Sequence, residues 1–168
     1  NGNLTLNLSS GLQFENVIGG SLGDTLTGNS LSNVVTGGPA DDILDGGAAN
    51  DTLVGGSGND TYWFDADTIL GSDTLDESGG GTDTLDFSAT TTRAITVALG
   101  WTTAQTVNAN LALTLASATA FATATLSLVP SGHLLLCSFR TSHLMARSVR
   151  FALGESRASI SLIQLSVN

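Results

Sequence analysis

The chain contains no lysine, and its five arginines all lie beyond residue 86. With 15 acidic side chains and a formal net charge of −10, that balance argues against a nucleic-acid partner, because a phosphate backbone needs clustered cations. Cysteine is nearly as scarce: Cys137 stands alone, which excludes an internal disulfide framework and leaves an incidental thiol. There is no HExxH, so a zinc protease is not encoded. Gly154-Glu155-Ser156-Arg157-Ala158 echoes a nucleophile elbow but ends in Ala, and no His follows Ser156 to act as base. His133 and His143 sit in an Arg-bearing tail without Asp, which supports neither a metal site nor a proton relay. The acidic pairs Asp41/Asp42 and Asp65/Asp67 lack the aromatic platform expected around a glycosidase dyad. These absences predict a protein that is not an enzyme.

Long greasy runs are missing too. The most apolar stretch, LALTLASATAFATATLSLV at 111–129, has Ser or Thr at six of its 19 positions. Its large residues alternate as Leu111, Leu113 and Leu115, which predicts strands rather than a membrane span. The opening NGNLTLNLSS has neither a basic nor an apolar region and is not read as a secretory signal.

What the chain does have is a short repeat. Five nine-residue words run without a gap from Gly19 to Trp63: GGSLGDTLT, GNSLSNVVT, GGPADDILD, GGAANDTLV and GGSGNDTYW. Gly19, Gly28, Gly37, Gly46 and Gly55 hold position one, and Asp24, Asn33, Asp42, Asp51 and Asp60 hold position six. Leu26, Val35, Leu44, Leu53 and Tyr62 hold position eight. A weaker word, SGLQFENVI, precedes them in register, with Glu15 and Val17 at the corresponding places. A repeat this short dictates a solenoid architecture.

These words resemble the repeat-in-toxin (RTX), or haemolysin-type, calcium-binding family over about residues 10–65, and WFDADTILGSDTLDESGGGTDTLDFSATT resembles that family's exit from a roll. The resemblance implies a parallel β-roll, calcium-dependent folding, and export from a bacterial cell without a classical signal peptide. The fold expected is therefore all-β: a right-handed parallel β-helix of nonapeptides, then short strands, then a tail of open structure. Elementary chemistry agrees. Glycine at positions one and two allows positive φ and turns carbonyls inward on a cation, while the position-six carboxylate adds a hard, charged oxygen suited to Ca²⁺. On the resemblance, the metal residues are Asp24, Asp42, Asp60 and Asp51 with Gly19, Gly20, Gly37, Gly38, Gly46, Gly47, Gly55, Gly56 and Gly58. The competing reading makes these words ordinary turns that bind nothing; the phase-locked Asp, with an apolar residue two places later, opposes it.

Two words make one coil, so loops alternate between two sides. One side stacks the loops starting at Gly19, Gly37 and Gly55, and the other those starting at Ser10, Gly28 and Gly46. The first side is expected to hold two inter-coil sites, although position four is Leu22, then Ala40, and glycine only at Gly58. The second, with Asn33 and Glu15 in place of aspartate, is expected to hold at most one weaker site, completed by Asp65 or Asp67. On that basis Asp42→Ala should hurt more than Asp51→Ala. Tyr62 and Trp63 are expected to cap the last coil.

Charge divides the chain sharply. Residues 1–86 hold 14 acidic groups and no basic one, so this segment cannot collapse until cations neutralise it. DTL recurs at 73–75 and 83–85, which predicts two strands joined by a flexible loop, followed by TTTRAITVAL as another. Asp73, Asp76, Glu77 and Asp83 either hold a further calcium or form a solvated acidic turn, and the turn is the expectation. NGNLTLNLSS at 1–10 returns as NANLALTLAS at 108–117, which predicts that a second module copy begins there. The expected domains are a β-roll at 1–66, a strand-rich capping region at 67–129, and a distinct tail at 130–168 in which ISLIQLSV reads as a strand.

The function expected is calcium binding by an extracellular, secreted or cell-surface module within a larger repeat protein, with no membrane span. Two alternatives stand beside it. One is an adhesion or aggregation module whose threonine-rich strands at 84–107 meet a cell-surface or matrix partner. The other is the accessory region of an exported hydrolase.

Overall fold

The computed structural model describes residues 2–8, 14–99, 101–116, 121–127, 136–137 and 148–152, the last three segments by backbone only. Fifteen strands occur among them, and no helix. Through the repeat they are β1 (Thr5–Asn7), β2 (Asn16–Ile18), β3 (Thr25–Asn29), β4 (Val34–Pro39), β5 (Ile43–Gly47), β6 (Thr52–Ser57) and β7 (Thr61–Trp63). Beyond it come β8 (Gly71–Asp76), β9 (Asp83–Phe87), β10 (Thr96–Val97), β11 (Gln105–Asn108), β12 (Leu111–Leu115), β13 (Phe121–Ser127), β14 (Leu136–Cys137) and β15 (Ser148–Ala152). Readings that rest on His133, His143, Ser156, residues 160–167 or the Cys137 side chain lie outside the described residues.

From β1 to β9 successive strands fall on opposite sheets, and β10 pairs apart from both with β14. One sheet runs β1-β3-β5-β7-β9-β13-β15 and the other β11-β12-β8-β6-β4-β2. Neighbours pair in parallel, except for β11 against β12. The register places each residue on its counterpart 18 positions later, as in Leu26↔Leu44 and Val35↔Leu53. This is the two-word coil of a parallel β-roll.

The reason is the period-two pattern inside each short strand. Position eight points inward and its neighbours outward, so Val17, Leu26, Val35, Leu44, Leu53 and Tyr62 all pack into one core. Full burial of such a side chain contributes about 1.5–3 kcal/mol, repeated once per word. The same stack continues past the words through Leu75 and Leu85, and both sheets run past residue 66 by the pairings β6–β8 and β7–β9. Tyr62 is therefore an interior rung rather than a cap. Phe64 and Phe87, with ring centroids 5.3 Å apart, fill the core beyond it.

Two expectations change here. The DTL words do form two strands joined by a loop, but β8 and β9 lie on opposite sheets, each extending the roll. TTTRAITVAL contributes only the two-residue β10, while Thr91 and Thr92 donate backbone and hydroxyl hydrogen bonds to the Asp67 carboxylate at 2.7–3.0 Å. The two copies of the longer repeat also part company. β1 pairs with β3 at one end of the first sheet, whereas β12 pairs with β8 at the other end of the second.

Position four decides how well each loop turns. Gly58, Gly71 and Gly81 have positive φ there, and so do Ala40 (φ 81°) and Ala49 (φ 84°). A β-carbon in the left-handed region costs about 1–2 kcal/mol, of which the extra unfolded-state freedom of glycine returns part. Ala40→Gly is therefore expected to stabilise the calcium-loaded roll by about 0.5–1 kcal/mol. Leu22→Gly should not, because Leu22 is not among the described residues of positive φ. Denaturant midpoints of the two variants against the parent check this, and equal shifts would refute it.

Candidate metal centre

The loops at the strand ends stack as the repeat predicts. A β-carbon added at Gly19 would fall on the Gly37 carbonyl oxygen, at Gly37 on that of Gly55, and at Gly28 on that of Gly46. Only glycine permits so close an approach. Carbonyl oxygens therefore converge in the gap between one loop and the next.

The position-six side chains form a ladder beside these gaps. Asp42 Oδ1 accepts the Asp24 N–H at 2.7 Å, Asp60 Oδ1 the Asp42 N–H at 2.8 Å, and Asp83 Oδ1 the Asp60 N–H at 3.0 Å. On the opposite side Asp51 Oδ1 accepts from Asn33 N–H at 2.7 Å, and Asp73 Oδ1 from Asp51 N–H at 3.0 Å. With Oδ1 committed to the backbone, Oδ2 turns to the glycine loop. Asp42, Asp51, Asp60 and Asp83 each leave a buried Oδ2 with no hydrogen-bond partner, as does Glu77 at both oxygens.

A buried carboxylate without a partner is costly. Burial, before any other cause, pushes Asp42 and Asp83 upward, Asp51 and Asp60 to about 6, Asp73 to about 7 and Glu77 to about 9. Neighbouring carboxylates add to the rise, Asp83 and Asp60 in the case of Glu77. Either protons or a cation must neutralise this set. Without a cation, a proton held between Glu77 and Asp83 is the available device. Several hard oxygens, mixed from carbonyl and carboxylate, suit Ca²⁺. The donor set fits the ion.

The proposed ligands are thus unequal. Asp42, Asp60 and Asp51 present free oxygens, with Gly37, Gly38, Gly46, Gly47, Gly55, Gly56 and Gly58 forming the loops around them. Asp24 is spent differently: its Oδ2 accepts the Gly20 N–H beside Gly19, and its Oδ1 accepts the Leu4 N–H at 2.7 Å. The first gap on the opposite side is filled by an amide, because Asn33 Nδ2 donates to the Phe14 carbonyl at 3.0 Å.

Sequence reasoning misassigned three residues. Asp73 and Asp83 are position-six rungs, and with Glu77 they are buried, at 1%, 0% and 3% exposure, rather than parts of a solvated turn. Asp73, not Asp65 or Asp67, follows Asp51 on the second side. Asp65 Oδ1 instead accepts the Asp67 N–H at 3.2 Å, and Asp67 clamps Thr91 and Thr92. The signal was present in the two DTL words, which reproduce positions six to eight of the repeat.

Fold and gaps together define a parallel β-roll with oxygen-lined gaps between its coils. Residues 18–48, 27–62 and 36–73 match the family model of the RTX calcium-binding nonapeptide repeat, a four-copy unit. Such repeats bind Ca²⁺ and form a structural module rather than a catalytic one. No curated protein and no solved structure matches the chain. No helix among the described residues is long and apolar enough to cross a membrane.

Proposed function

We propose that this chain is an extracellular calcium-binding β-roll module that folds on Ca²⁺ after export, as part of a larger secreted or cell-surface repeat protein. The observation that carries the reading is the row of buried, unpartnered carboxylate oxygens at Asp42, Asp51, Asp60 and Asp83. They occur in a segment, 1–86, without one basic side chain to answer them. Ca²⁺ binds the stacked loops and hardly binds the unfolded chain, so its concentration sets the folding equilibrium. Extracellular modules bind at about 10⁻⁴–10⁻³ M, far above cytosolic levels, so the chain stays unfolded inside and folds outside. RTX repeats are typical of secreted proteins, which supports the location.

The metal ligands we assign are Asp42, Asp60 and Asp51 with the carbonyls of their glycine loops, and Asp24 as a weaker contributor. Far-UV circular dichroism during a Ca²⁺ titration, with Mg²⁺ as control, tests the reading. A cooperative coil-to-β transition near millimolar Ca²⁺, absent with Mg²⁺, is the expected result. A β spectrum that ignores Ca²⁺ would mean that the loops act as turns alone, and would sink it.

A second reading rests on exposed threonines. Thr91, Thr92, Thr96, Thr102, Thr103 and Thr106 face solvent at the end of the roll. They suit an adhesion module in which calcium stiffens a spacer and this face meets a surface or matrix partner. A 107-residue tandem period in the full gene would favour it, after the offset between Asn1 and Asn108.

A further inference from the structure

The last gap on the first side is built differently from those before it. In the earlier coils, a β-carbon at position one would strike a carbonyl oxygen of the next loop. At Gly55 it would instead meet Glu77 Oε1, at 2.7 Å, together with Asp60 Oδ2 and the Tyr62 hydroxyl. The pairing Val54↔Asp76 explains this, since it sets Glu77 opposite Gly55, where the repeat elsewhere has glycine. A side-chain oxygen has taken the place of a backbone one.

Ligand atoms of Asp60, Glu77 and Asp83 all lie within 4.8 Å of one another. The three residues are 1%, 3% and 0% exposed. Asp60 Oδ2, Asp83 Oδ2 and both Glu77 oxygens have no hydrogen-bond partner. Three carboxylates therefore enclose one space, against two in the gap between Asp42 and Asp60. Glu77 and Asp83 also lie beyond the matched repeat segment, which ends at residue 73.

We propose that Asp60, Glu77 and Asp83 form a terminal calcium site, tighter than the inter-loop sites of the nonapeptides, in which Glu77 replaces the backbone carbonyl as ligand. Affinity for Ca²⁺ is tuned by the number of charged ligands, and among the described residues this cluster alone brings three carboxylates together. It fills first and clamps β8 and β9 to the end of the repeat. The inference rests on the calcium reading above but assigns a ligand, Glu77, that the nonapeptide pattern does not supply.

The test uses the whole chain, Ca²⁺ calorimetry, and Tb³⁺ luminescence sensitised by Tyr62. That is the single tyrosine of the chain, and its hydroxyl accepts the Gly55 N–H at 2.8 Å beside the site. Wild type should show a first class of sites at least tenfold tighter than the rest, with Tb³⁺ emission rising at the first equivalent. Glu77→Gln should lose that class and that early emission, while Ca²⁺ still folds the roll at higher concentration. Calcium-free Glu77→Gln should be at least as rich in β-structure as wild type, since a buried carboxyl no longer has to be protonated for the chain to fold. Asp51→Asn, on the other side, should keep both the tight class and the early emission.

An unchanged tight class in Glu77→Gln would overturn the proposal and leave the calcium reading standing. Its loss in both variants alike would also overturn it. Loss of β-structure in Glu77→Gln with and without Ca²⁺ would mark Glu77 as a packing residue, with the same consequence. Wild type that binds no Ca²⁺ at all would overturn both readings.

Discussion

Asp60→Ala is expected to raise the Ca²⁺ midpoint for folding at least tenfold, the largest effect of any single position-six substitution. Asp60 is the rung where the two best-formed gaps of the first side meet. Its Oδ1 accepts the Asp42 N–H at 2.8 Å, and its own N–H is donated to Asp83 Oδ1 at 3.0 Å. Its Oδ2, buried and unpartnered, belongs to the cluster with Glu77 and Asp83. Truncation orphans the buried Asp42 N–H, at about 1–3 kcal/mol, and removes a charged ligand from the calcium-bound state as well.

Asp51→Ala should cost less, because only one of its two neighbouring gaps is open. Towards Asp73 it faces a second carboxylate, but towards Asn33 it faces an uncharged amide that adds no charged ligand. Asp42→Ala falls between them, since its gap towards Asp24 is weakened by the Gly20 N–H that Asp24 Oδ2 already accepts. Asp42 is thus still expected to rank above Asp51, with Asp60 above both. Calcium titrations of the three variants by circular dichroism measure it. Equal midpoints for Asp60→Ala and Asp51→Ala would refute the two-sided assignment.

Local spacing explains what was legible in the sequence. A strict nine-residue period ties position one to a glycine turn, position six to a carboxylate and position eight to the core. From it follow the parallel roll, the alternation of sides, and the inward stack from Leu26 to Tyr62. Legibility failed where the period slipped. Asp51 is followed on its side by Asp73, 22 residues on, and Asp60 by Asp83, 23 residues on, instead of 18. The extra residues sit in the loops, where they cost the roll little, but they destroy the sequence phase. Both DTL words were thereby separated from the repeat they continue, and their aspartates passed for solvated charge.

Burial was hidden for a second reason. An acidic, glycine-rich string such as DESGGGTD has the composition of an exposed turn, and composition cannot show that Glu77 replaces a glycine opposite Gly55. Only the register of β6 and β8 reveals it. The same holds for Asp67, whose clamp on Thr91 and Thr92 joins residues 24 and 25 apart in sequence.

Without calcium, the roll should be most stable in mild acid and lose its β-structure as pH rises towards neutrality, the reverse of ordinary acid denaturation. The buried carboxyls have folded pKa values above their unfolded ones, so the folded chain binds more protons than the unfolded chain between the two, and stability falls as pH rises. Below about pH 4 both states are protonated and carry no penalty. The penalty then accrues as the unfolded groups ionise, and is complete only above the folded values, about 6 for Asp51 and Asp60, about 7 for Asp73 and about 9 for Glu77. All of these shifts oppose folding as pH rises, and a small domain has only about 5–15 kcal/mol of stability to set against them. Asp67 runs the other way. Its slight burial is outweighed by the hydrogen bonds from Thr92 and Thr91, which hold it down to about 2, so its contribution is lost only in stronger acid. Circular dichroism against pH in chelator should therefore show most β-structure near pH 4, and Ca²⁺ at neutral pH should restore it by taking the place of the protons. Near pH 5, where protons already hold part of the chain folded, Ca²⁺ must displace those protons, so less of the β-structure should depend on Ca²⁺ there than at pH 8. A calcium-free chain more structured at pH 8 than at pH 4 would show that the buried carboxylates find another neutraliser, and would remove the electrostatic basis for calcium-driven folding.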